Sequence, residues 1–123
     1  MGLDMYAYAA RREALTKLDD CTIVENATLI HQWRKHPDLH GWMEALYWRK
    51  GGDAKVFNCE PVELTSADLD ALEAAIQEGK LPVTQGFFFG DSDGSEVDGD
   101  LDFVEKARDA ISKGLAVFYT SWW

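Results

Sequence analysis

A proline stands inside the chain's densest aromatic and basic stretch, and it limits what that stretch can become. The segment HQWRKHPDLHGWMEALYWRK, His31 to Lys50, holds three Trp, two Trp-Arg-Lys triplets and all three His of the chain. Pro37 lacks a backbone N–H and pushes the residue before it out of the α region, so no single regular helix can run through. Proline is at ease in a first helical turn. His36 is therefore expected in a break, with a helix from about Asp38 toward Lys50 that ends at Gly51 and Gly52.

The remaining signals alternate between strands and helices. Leu3 to Ala9 sets Leu3, Met5 and Ala7 against Asp4, Tyr6 and Tyr8, which at period two is a half-buried strand with a tyrosine face. Asn26 is placed to cap a helix through His31 to Lys35, because Leu29, Ile30 and Trp33 fall at i, i+1 and i+4. Lys55 to Cys59 and Pro61 to Leu64 read as short extended pieces. Thr65 or Ser66 then caps a helix carrying Leu69, Leu72, Ala75 and Ile76, with Asp68 as capping-box carboxylate and Gly79 as its left-handed stop. Val83 to Phe89 and Leu115 to Tyr119 read as buried strands flanking a helix from Asp102 to Lys113. The expected architecture is a mixed α+β fold, residues 1–123 forming one domain with about four strands and about four helices.

Charge narrows the partners. The net charge is −10, and it is uneven: residues 1 to 55 hold eight basic and eight acidic groups, residues 56 to 123 four basic and fourteen acidic. Such a chain is repelled by duplex nucleic acid. No run approaches eighteen apolar residues, and the N-terminal charges follow rather than precede the apolar stretch, so neither a membrane span nor a signal peptide is expected and the compartment read from the chain is cytoplasmic. Cys21 and Cys59 have no CxxC partner and read as reduced thiols.

Four chemistries meet these residues with incomplete motifs. His36 and His40 have zinc-helix spacing with His31 upstream, but Pro37 interrupts the helix and the HExxH glutamate is missing, so no metal is expected. The run Asp91 to Asp102, DSDGSEVDGDLD, places Asp91, Asp93 and Ser95 like a calcium loop, yet Glu96 stands where the turn needs glycine, which favours a solvated acidic loop. Gly86, Gly90, Gly94 and Gly99 match no phosphate-binding spacing. Ser121 or Cys59 paired with a histidine of the 31–40 segment would supply a nucleophile, although no GxSxG elbow is present. No cofactor is implied.

What remains is the aromatic and basic set itself: Trp33, Arg34, Lys35, His40, Trp42, Trp48 and Arg49. Planar faces beside guanidinium and imidazole groups suit an anionic or planar ligand, whereas large aromatics at helical spacing suit a core. The N-terminal MGLDMY, the motif Trp33-Arg34-Lys35 followed by Leu39-His40 and Trp42-Met43, the Cys59-Glu60 stretch before the Thr65 helix, Gln85-Gly86-Phe87-Phe88-Phe89-Gly90, and Tyr119-Thr120-Ser121-Trp122 together resemble a family of small phage and prophage proteins. Pro37 departs from the family's first motif. The resemblance implies a phage origin and a bacterial host cytoplasm, not a reaction. The leading expectation is an accessory protein that binds rather than catalyses, sequestering a small anionic, nucleotide-like host ligand through the Trp/Arg/His set. A second expectation is an acidic inhibitor that mimics nucleic-acid charge toward a host defence protein through Asp91, Asp93, Asp98 and Asp100. A third is a small nucleotide hydrolase.

Overall fold

The computed structural model describes residues 2–15, 23, 25–84, 90, 92 and 94–123. Four antiparallel strands form one sheet, β1 (Asp4–Ala10), β2 (Thr28–Arg34), β3 (Val62–Leu64) and β4 (Ala116–Trp122), in the order β2-β1-β4-β3. Helices α1 (Pro37–Arg49), α2 (Ser66–Gln77) and α3 (Val97–Ser112), with a 3-10 turn at Arg12–Ala14, join the sheet in an α+β fold. None of them is long and apolar enough to cross a membrane.

Alternation in β1 decides which face the helices cover. Met5, Ala7 and Ala9 point into the core, opposite Trp33, His31 and Thr28 on β2 and Ser121, Tyr119 and Val117 on β4. The two small alanines on this central strand leave room for the large Trp33, Phe103 and Tyr119 rings to close over it, and Trp33 meets Phe103 edge-on at 4.8 Å between centroids. Leu39 and Met43 of α1, Leu69 and Leu72 of α2, and Phe103 and Ala107 of α3 fill the same core. On the other face Ile23 packs with Ala116 and Phe118.

Several expectations held at the level of single residues. Pro37 is the first residue of α1 and His36 its non-helical cap, with φ −114° and ψ 74°. Thr65 and Asp68 form the reciprocal capping box of α2, and Gly79 takes a φ of 67° just beyond it.

Others need correcting. Residues 28–34 are a strand, not a helix capped by Asn26: the register slips between Ala7 and Tyr8, leaving Ile30 as an extra residue. That bulge breaks the alternation and leaves Leu29, Ile30 and Trp33 with a helix-like spacing. Val83 is 87% exposed, so no buried strand begins there, and the rest of that expected strand, residues 85–89, lies outside the described residues. Lys55 to Cys59 forms bends rather than a strand. The last helix starts at Val97 rather than Asp102, which takes Asp98 and Asp100 out of the acidic loop and into a first helical turn.

Candidate functional site

The end of β2 and the start of α1 set the geometry. Lys35 takes a left-handed φ of 54° while its amide donates to the Leu3 carbonyl at 2.8 Å, turning the chain sharply after Arg34. His36 then points inward and is 3% exposed. From the other side, the first turn of α3 presents Asp100, 1% exposed, so that the buried carboxylate and the buried imidazole meet. A carboxylate is favoured at a helix N-terminus, where the unpaired amides concentrate positive potential.

The pair belongs to a longer chain of hydrogen bonds. Asp100 Oδ1 accepts from the Trp33 indole N–H at 3.0 Å, and Asp100 Oδ2 lies 2.7 Å from His36 Nε2. On the other side of the ring, His36 Nδ1 is 2.6 Å from Ser92 Oγ, and Ser92 Oγ accepts from the Asp38 backbone N–H at 3.1 Å. The partners dictate the protons. With Asp100 as a carboxylate, His36 Nε2 carries the hydrogen donated to it, which leaves Nδ1 as acceptor for the Ser92 hydroxyl. The indole locks the carboxylate, the carboxylate locks the imidazole tautomer, and the imidazole faces a serine oxygen.

Ser92 is half-buried and opens onto a cleft of about 180 Å³ between the start of α1, the end of α2 and the start of α3. Ile76, Leu81 and Val97 supply apolar wall, while Asp38 and Glu96 add carboxylates. Both are anchored by backbone amides: Asp38 Oδ1 accepts from Thr84 N–H at 3.1 Å and Glu96 Oε1 from Gly94 N–H at 3.0 Å. Among the described residues no lysine or arginine lines this cleft.

The expected Trp/Arg/His set does not converge. Trp33 is core on β2, and Arg34, next along the strand, points to the opposite face and pairs with Asp4. Lys35 is exposed in the turn, with its side chain against Gly90. His40 is 1% exposed, 2.7 Å from the Tyr119 hydroxyl, and burial holds it down to about 4, too low for a cationic ligand contact near neutrality. Trp42 packs half-buried against the core, while Trp48, 43% exposed, sits edge-on to Tyr47 beside an exposed Arg49. Trp33 and Trp48 lie on different elements, a strand and a helix.

The three histidines also part company. His31 lies near Lys106 and Asp102, and burial first, then Lys106, lowers its pKa. Among the described residues no group of three His, Cys, Asp or Glu is placed to hold a metal ion. Of the four acidic residues expected to face a partner, Asp98 is exposed, but Asp100 is buried by its bonds to His36 and Trp33; Asp91 and Asp93 lie outside the described residues, as does Cys21. Sequence reading looked for the nucleophile at Ser121 or Cys59. Ser121 is buried in β4 and Cys59 is exposed, and the serine beside a histidine is Ser92. Its position among carboxylates hid it, and no fixed spacing links residues 36, 92 and 100.

No protein-family model, curated protein or solved structure matches the chain.

Proposed function

We propose that the protein is a small serine hydrolase acting on short, uncharged acyl esters, with Ser92 as nucleophile, His36 as general base and Asp100 as the group that orients and stabilises His36. The observation that carries this reading is the continuous hydrogen-bonded chain from Asp100 through His36 to a serine oxygen on the wall of a cleft. Geometry and roles, not sequence order, define such a relay.

The proton relay uses atoms already in hydrogen-bonding range. Ser92 Oγ attacks the ester carbonyl carbon as its proton passes to His36 Nδ1, and the imidazolium is stabilised by Asp100 through Nε2–H. The same proton leaves with the alcohol as the tetrahedral intermediate collapses to an acyl-serine. Water, deprotonated by His36 Nδ1, then releases the acid and restores the hydroxyl. The Asp38 amide, at the positive end of α1, donates to Ser92 Oγ and favours negative charge on it.

The cleft argues for a neutral substrate. A phosphate entering beside Asp38, Glu96 and Asp100 would meet like charge with no lysine or arginine among the lining residues, which favours an ester over the nucleotide that the third expectation from sequence had as substrate. The volume suits a short acyl chain against Ile76, Leu81 and Val97.

A panel of p-nitrophenyl esters from acetate to octanoate tests the reading. Turnover by the wild type should be highest for the shorter chains and fall to background in both Ser92→Ala and His36→Ala. Equal rates in wild type and Ser92→Ala would leave the hydrogen-bonded chain as a structural clamp only.

A further inference from the structure

The face of the sheet turned away from the helices carries a second set of chemical groups, independent of the relay. The register sets Arg34, Asp4 and Trp122 side by side across β2, β1 and β4, with Gln32, Tyr6 and Thr120 as the next row. Ile23 packs on the far end of this face, against Phe118 and Ala116. At the near end Trp122 is 67% exposed, the Arg34 side chain 58%, and Tyr6 is half-buried. An exposed tryptophan on a strand offers a large planar face on which a ring can stack.

The groups have a fixed geometry. Strands lie about 4.8 Å apart, so Arg34 and Trp122, separated by β1, rise from backbones about 10 Å from each other. Asp4 sits between them and holds the guanidinium over β1, Arg34 Nε to Asp4 Oδ1 at 3.4 Å. The Tyr6 hydroxyl senses this arrangement: its pKa is raised by burial and then by Asp4, against the opposing pull of Arg34. Tyr6 and Tyr8 continue the aromatic row, with centroids 6.3 Å apart.

Charge selects the ligand. Of the fourteen acidic residues after position 55, Asp68, Asp70, Glu73, Asp98, Asp100, Asp102, Glu105 and Asp109 lie on α2 and α3. On the sheet's outer face Asp4 is balanced by Arg34, and Glu63 by Arg12. Among the described strand residues of this face the charges are paired, so an anion meets less acidic excess here than over α2 and α3. One arginine suits one phosphate, an aromatic row suits a planar ring, and the Gln32 amide offers both a donor and an acceptor.

We propose that this corner of the sheet binds a purine nucleoside monophosphate, with the base stacked on Trp122 and Tyr6 and the phosphate on Arg34. The sequence placed a nucleotide-like ligand on the wider set Trp33, Arg34, Lys35, His40, Trp42, Trp48 and Arg49; the proposed corner takes only Arg34 from that set and pairs it with Trp122 and Tyr6.

Adenosine monophosphate is the probe, titrated by calorimetry and by quenching of tryptophan fluorescence, with adenosine, inorganic phosphate and a short single-stranded RNA as separate arms. Trp122→Ala should weaken adenosine monophosphate and adenosine alike by roughly tenfold or more. Arg34→Ala should weaken only the monophosphate, by a comparable factor. Both residues are exposed, so both variants should keep the wild-type melting temperature. No binding of the monophosphate, or binding unchanged in both variants, overturns the proposal. Inorganic phosphate binding as tightly as the nucleotide overturns the stacking role, and RNA binding far more tightly, with a steep salt dependence, overturns the mononucleotide as occupant. Ester turnover reads a different site, so the two proposals fail separately.

Discussion

Asp100 satisfies two buried donors at once, the Trp33 indole and the His36 ring, and a conservative change separates its charge from its shape. In Asp100→Asn the amide oxygen can still accept from Trp33, but the amide nitrogen then faces His36 Nε2 and forces that nitrogen to become the acceptor. The imidazole proton moves to Nδ1, where it blocks proton transfer from Ser92. Ester turnover should fall by a factor on the order of 10³ to 10⁴, with a far smaller change in melting temperature; equal losses of activity and stability would assign Asp100 a structural role alone. His40 makes a different prediction. Burial keeps it neutral in the folded state down to about pH 4. The unfolded chain takes up a proton below about pH 6.5, so stability present above that pH is lost as pH falls toward 4, by about 3 kcal/mol. His40→Gln, which cannot titrate, should flatten the melting temperature against pH across that window, and an unchanged slope would contradict the assignment. At this scale the sequence marked the His31 to Lys50 segment as dense in aromatic and basic groups but not the direction of each side chain. Trp33, His36 and His40 are held by partners 56 or more residues away, and no local pattern encodes such pairings.

Among the elements, those bounded by stereochemistry were legible. Pro37 and Gly51 bracket α1, and Thr65, Asp68 and Gly79 bracket α2, because each residue acts through its own backbone or that of a near neighbour. β2 was misread for an equally local reason: Ile30, the bulge residue, disturbs the alternation that marks a strand. The start of α3 was missed because the acidic residues that favour a helix N-terminus also look like a solvated loop. The joint that positions the relay, α1 against the segment leading to Thr84, depends on Gly41. A Cβ there would stand 1.9 Å from Thr84 Oγ1 and 2.9 Å from its Cβ. Alanine favours a helix over glycine by about 1 kcal/mol, yet this clash must displace a segment that also binds Asp38. Overpacking typically costs about 1–3 kcal/mol, so Gly41→Ala should lower stability and slow ester turnover together; a stabilised variant would show that the segment yields freely.

Over the whole molecule, charge and surface divide between two faces. The acidic excess gathers on the helical layer, whose helices α2 and α3 are joined by Arg108 to Asp70 and Glu73 at 2.8 Å each, while the sheet's outer face pairs its charges. Composition alone revealed the excess; only the fold shows that the relay's cleft lies within it and the Arg34 corner outside. An acyl ester bearing a carboxylate should therefore react more slowly than its neutral counterpart, and the ratio should narrow as salt rises and screens the approach. A ratio independent of ionic strength would remove the acidic rim from substrate selection. The relay acts through one oxygen atom, Ser92 Oγ, so the most direct measurement is covalent. Incubated with a small alkyl fluorophosphonate, the protein should gain the mass of one phosphonyl group with loss of fluoride, peptide mapping should place it on Ser92, and His36→Ala should slow the reaction severely. An unmodified protein, or a modification elsewhere that persists in Ser92→Ala, would contradict the account.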